Sequence, residues 1–103
     1  MSILTIGEKL RQLREENNLP LRRVSALIEV DVAVLSKMER GERKLTKEIV
    51  LKLADAYKYN VDELIVLFLS ERIMYEIQDE VLGKKALKVA KKRVEGLKEN
   101  RRK

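Results

Sequence analysis

Between Thr5 and Ser70 the chain is cut into short helical lengths, and this segmentation constrains the fold more than any other feature. Apolar residues recur at spacings of three and four, and each run ends at a stop signal. Ile6, Leu10 and Leu13 set out a first helix to about Asn17, opened by Thr5 and Glu8 in the capping-box arrangement. Asn17-Asn18-Leu19-Pro20 breaks it, and Pro20 suits the start of the next helix. Leu21, Val24, Leu27 and Ile28 give a short second helix, with Ser25 on its inner side. After Glu29-Val30, Asp31 is placed to cap a third helix whose buried positions are Leu35 and Met38. Gly41 stops that helix, because a left-handed C-terminal residue costs glycine least. Thr46 caps a fourth helix with Val50, Leu53, Ala54 and Tyr57 inward, and Asn60 with Glu63 starts a fifth through Leu64, Ile65 and Phe68. Turns of two to four residues are expected between them. Five short helices predict a compact all-α domain over residues 1–70.

Residues 71–103 read as a helical extension. Ile73, Ile77 and Val81 form one apolar stripe, and Leu87, Ala90, Val94 and Leu97 form another at 3-4-3 spacing. Gly83 lies between them and is expected to kink the helix or separate two. The heptads are too few to define a coiled coil.

Charge is distributed unevenly. The net +6 breaks into +1 over residues 1–70 (12 basic, 11 acidic), −3 over 71–83 and +8 over 84–103. A polyanionic partner is indicated by the total, yet nearly all the excess sits in the last fifth of the chain.

Cysteine and histidine are absent, which removes disulfides, thiolate nucleophiles, histidine bases and the usual zinc ligands together. The paired carboxylates Glu15-Glu16 and Asp79-Glu80 are adjacent on helices and diverge rather than converge on a substrate. None of the four glycines falls in a phosphate-cradling pattern. No enzyme activity, metal, cofactor or small-molecule ligand is expected. MSILTIGEKL does not read as a secretory signal, and the apolar run Leu64–Leu69 is too short to span a bilayer, so a cytoplasmic protein without a membrane partner is expected.

The helix lengths and the tight turn between the second and third match a helix-turn-helix. The order IGEKLRQLREENNL, a short helix, LSKMERGERK and then IVLKLADAYKYNVDEL resembles the Cro/repressor-type helix-turn-helix family, also called the xenobiotic-response-element (XRE) family, with its lambda-repressor-like fold. The resemblance covers about Ile6 to Ile65, and its most specific parts are Ser36–Gly41 and Leu53-Ala54 followed by Asn60–Leu64. It implies a sequence-specific DNA-binding transcriptional regulator, usually a two-fold dimer on a palindromic site, acting on its own or a neighbouring operon. Restriction–modification controllers and antitoxins use the same fold. In that family a first-helix arginine pairs with the glutamate of the Glu-Arg-Gly step, here Arg14 with Glu39, so Arg14, Glu39 and Gly41 are assigned structural roles.

Base reading maps by the same resemblance to Val32, Ala33 and Lys37, with Ser36 adjacent. Val32 and Ala33 cannot hydrogen-bond base edges and can only pack on a thymine methyl, whereas Lys37 can reach guanine O6 and N7. Arg22 and Arg23 before the reading helix, and Arg40, Arg43, Lys44 and Lys47 after it, are placed to clamp phosphates. Several residues depart from the family pattern. Leu21 stands where a phosphate-contacting Gln is common, Glu29 stands where the turn usually has Gly, and Asp31 brings negative charge toward the backbone. Asp31, together with Val32 and Ala33, best supports the alternative of a protein-interaction module that keeps the fold and has lost specific DNA reading. For the extension, Ile73, Ile77, Val81, Leu87, Val94 and Leu97 are the candidate homodimer contacts, with part of the basic end left disordered. Gripping of flanking phosphates and a membrane-surface or partner helix are the other readings.

Overall fold

In the computed structural model the backbone is described for residues 3–102 and side chains for residues 3–97. Six helices account for nearly all of it: α1 (Ile6–Glu16), α2 (Leu21–Ile28), α3 (Val32–Glu39), α4 (Lys47–Ala56), α5 (Val61–Ile77) and α6 (Gly83–Arg102). No strand occurs among the described residues, as expected of this all-α fold. The chain divides into two compact units, residues 1–71 and 72–103.

The first unit is built on a core of small, separate stripes. Leu10, Leu35, Leu53, Leu64, Val24 and Val50 are fully buried, and Ile6, Leu13, Ile28, Ala54, Tyr57 and Phe68 close around them. Each such side chain contributes about 1.5–3 kcal/mol, so the stripes on five helices hold one another although none is stable alone. α1 packs on α3, and α2 packs on both α3 and α4. The backbone N–H of Ile6 donates to the Glu71 carboxylate, tying the start of α1 to α5.

The caps form where the sequence placed them. Thr5 accepts from the Glu8 N–H at 3.1 Å while the Glu8 carboxylate takes the Thr5 N–H at 2.9 Å. The bond from the Thr5 N–H, aided by the Thr5 hydroxyl, holds the Glu8 carboxyl below its ordinary range. Asp31 accepts from the Ala33 N–H at 2.8 Å, Thr46 from Ile49 at 3.2 Å, and Asn60 from Glu63 at 3.0 Å. Each satisfies an N–H that has no partner inside its helix.

Four expectations need correction. Leu27 is exposed, because Leu21, Val24, Ser25 and Ile28 share the inner side of α2 and Leu27 falls well to the side of it. The connection from α3 to α4 runs from Arg40 to Thr46, longer than a tight turn. α5 is not short: with no Gly or Pro between Val61 and Leu82 the helix continues past Ser70 to Ile77. Val81 then lies in the turn after α5, 99% exposed, and does not continue the Ile73/Ile77 stripe.

The second unit holds the end of α5, a turn at Gln78–Leu82 and α6. Gly83 begins α6, and a Cβ there would stand 2.6 Å from the Ile77 carbonyl oxygen, so the corner is tight. The side chains of the basic end from Lys98 onward lie outside the described residues, and with them the expectation of partial disorder. Among the described residues no helix is long and apolar enough to cross a membrane.

Candidate nucleic-acid interface

α2 and α3 are joined by Glu29, Val30 and Asp31. Glu29 takes the left-handed conformation (φ 57°, ψ 46°), and its N–H and that of Val30 both return to the Ser25 carbonyl. The Asp31 cap then starts α3. One side of α3 is buried through Leu35, Met38 and Glu39. At 100° per residue the opposite side carries Ala33, Lys37 and Arg40, with Ser36 beside them. Ala33, Lys37 and Arg40 are exposed and Ser36 is half-buried. Val32 lies nearer the buried side and is 38% exposed, at the border of the outward face. Three of the four base-reading candidates therefore share one face, and the fourth stands at its edge.

The base of α3 is anchored to α1. Arg14 grips Glu39 with two parallel bonds, Nε to Oε2 at 2.8 Å and Nη2 to Oε1 at 3.1 Å, and gives a third to the Leu19 carbonyl at 3.0 Å. The hydrogen bond to Glu39 raises the Arg14 guanidinium further above its ordinary pKa. Both side chains are nearly buried, so each needs the other: removing one partner of such a pair costs about 3–5 kcal/mol. Gly41, at φ 77°, ends α3; its N–H bonds the Met38 carbonyl and the Glu42 N–H bonds that of Lys37.

One member of this anchor carries little sequence signal. A Cβ on Gly7 would stand 2.5 Å from the Glu39 carbonyl oxygen and 2.8 Å from that of Met38. Gly7, Leu10 and Arg14 thus form the side of α1 that receives α3, and the isolated glycine within a helical pattern is the only hint of it. Tyr57 was expected to be buried and is, but its hydroxyl has no hydrogen-bond partner among the described residues. Burial and the nearby Glu39 charge push its pKa well up.

Exposed cations precede and follow α3 in the chain. Arg22 and Arg23 are exposed in the first turn of α2; Arg43, Lys44 and Lys47 are exposed between α3 and the start of α4. Arg40 pairs with Glu42 at 3.0 Å, both half in solvent, which reduces its freedom to bind another anion. Glu29 and Asp31 are exposed at the N-terminal end of α3. The outward face of α3 thus carries Ala33 and Lys37, with Val32 at its border, and the exposed cations lie before and after it in the chain. No group of metal-binding side chains is assembled among the described residues.

A family model for helix-turn-helix proteins matches residues 10–64, just over half the chain. The chain belongs to the XRE-type helix-turn-helix family, a class of DNA-binding transcription regulators. It is similar to the HTH-type transcriptional regulator DdrOP3 of Deinococcus deserti, 34% identical over 62 residues, which is 60% of this chain and 48% of that protein. The chain thus spans about half the length of the curated relative it matches.

Proposed function

We propose that this chain regulates transcription by binding double-stranded DNA as a two-fold dimer, with α3 entering the major groove of each half of a palindromic operator. Lys37 reads guanine, Ser36 adds a polar contact, and Ala33 and Val32 pack on a thymine methyl. Arg22, Arg23, Arg43, Lys44 and Lys47 hold phosphates on either side, with Arg40 contributing less because of Glu42. Arg14, Glu39 and Gly41 keep α3 seated. The observation that carries this reading is the exposure of Ala33 and Lys37 on the side of α3 opposite a buried Leu35, Met38 and Glu39, with exposed cations in the first turn of α2 and between α3 and α4. Family membership and the regulator relative support it.

Titration of the full chain against a duplex from its own upstream region and against a scrambled duplex, between about 50 and 200 mM salt, tests the proposal. A specific complex that outlives the non-specific one at the higher salt is expected. Equal binding to both duplexes, lost together as salt rises, would refute base reading and leave an interaction module built on the same fold.

A further inference from the structure

The second unit has helix and no core. Between Arg72 and Leu97 the only buried residue among those described is Gly83, while Ile73, Leu82, Leu87, Val89, Val94 and Leu97 are 44–65% exposed. In proteins most of a helix's stability comes from packing one apolar face, and α6, 20 residues long, carries such a face. On α6 that face is Leu87, Ala90, Val94 and Leu97, bordered by Lys84 and Lys91 on one side and Arg93 on the other. On the last turns of α5 it is Ile73 with Ile77, bordered by Glu76. Within one copy only Gln78–Leu82 separates these faces, yet apart from the half-buried Ile77 their large apolar side chains stay exposed, so the two faces leave each other largely uncovered.

Charge decides what covers them. Residues 73–82 carry Glu76, Asp79 and Glu80 and no cation; residues 84–93 carry five lysines and Arg93 and no acid. Pairing α6 with another α6 would set cation beside cation. Pairing α6 with residues 73–82 of another copy sets apolar on apolar and opposite charges along the borders. We infer that a second copy of this chain is the occupant: α6 of each copy lies on the Ile73–Leu82 segment of the other, twice over, in a self-complementary interface. This rests on the dimer in the proposed function and specifies how it is made.

Two charge-reversed variants of the chain test it by sedimentation velocity and native mass spectrometry. One carries Lys84→Glu, Lys91→Glu and Arg93→Glu; the other carries Glu76→Lys, Asp79→Lys and Glu80→Lys. The natural chain is expected to dimerise, and each variant alone to self-associate on the order of tenfold more weakly or worse. Mixed one to one, the two variants are expected to form a heterodimer, because both junctions are then attractive again; that recovery also shows that both are folded. A natural chain that stays monomeric removes the dimer itself and this interface with it. A natural dimer whose Glu76/Asp79/Glu80 variant still dimerises alone keeps the dimer and overturns this pairing, as does a mixture that fails to associate.

Discussion

Four helices of the first unit end on a left-handed residue, and the four residues are Asn18, Glu29, Gly41 and Lys58, with φ of 55°, 57°, 77° and 50°. Only glycine takes that conformation without its Cβ crowding the backbone, at a saving of roughly 1–2 kcal/mol, set against about 0.5–1 kcal/mol for its greater freedom when unfolded. Glu29→Gly is therefore expected to stabilise the chain by about 0.5–1 kcal/mol, read as a raised midpoint in urea with an unchanged slope. Gly7 is the opposite case. Its missing side chain leaves room for backbone carbonyls that cannot swing aside, so Gly7→Ala should cost about 1–3 kcal/mol. A neutral result would mean that α1 and α3 can separate freely. Tyr57 makes a third test. Its hydroxyl is buried without a partner, and its raised pKa means that the folded state holds the phenol proton more tightly than the unfolded chain does. The associated stability is complete below about pH 10 and is lost as pH rises past that value. Tyr57→Phe should raise stability at neutral pH by about 1 kcal/mol and flatten the alkaline loss. An unchanged alkaline slope would assign that loss to other groups.

At the scale of elements, α3 is a helix with two different jobs on its two sides. Its buried side is set by Leu35, Met38 and the Arg14–Glu39 pair; its outer side by the exposed Ala33 and Lys37. Lys37→Ala should therefore leave the melting point unchanged and relax base preference at one operator position by about 1–3 kcal/mol in a site-selection experiment. Arg43→Ala should instead weaken every duplex alike. If Lys37→Ala changed nothing in the selected sequences, another residue would be reading the base. Much of this architecture could be read from the chain in advance, for a definite reason. Caps at Thr5, Asp31, Thr46 and Asn60 and stripes such as Ile6/Leu10/Leu13 are local, and local bonds follow from spacing alone. Misreadings came where spacing was ambiguous or the partner was distant. Leu27 fits an i, i+3 pattern with Val24 yet lies beside the inner face; Val81 fits the stripe of a helix that has already ended. Gly7 meets the end of α3 across more than thirty residues, and a residue without a side chain leaves no apolar signal of such a contact.

For the whole molecule, the question is where affinity comes from when the first seventy residues carry a net charge of only +1. Clustering answers it, because release of counterions depends on the cations that touch phosphates and hardly on the distant acids. The proposed phosphate clamp has five cations per head once Arg40 is discounted for its bond to Glu42. At about 0.9 counterions per contact, one head gives a slope of log K against log salt near −4.5 and two heads near −9. Two heads on one duplex also require centres separated by about 34 Å, one helical turn, so half-sites spaced by half a turn should lose the second head and return the shallower slope. The lysines of α6 enter this account only if they are not already engaged by a second copy. Occupied there, they leave the two-head slope unaltered; released onto flanking DNA, they would steepen it beyond about −12. Anisotropy titrations of the natural chain on correctly spaced and half-turn-shifted duplexes separate these cases. A slope near −9 that falls to about half on the shifted duplex is the expected result, and a slope that ignores the spacing would show that the two reading helices do not act together.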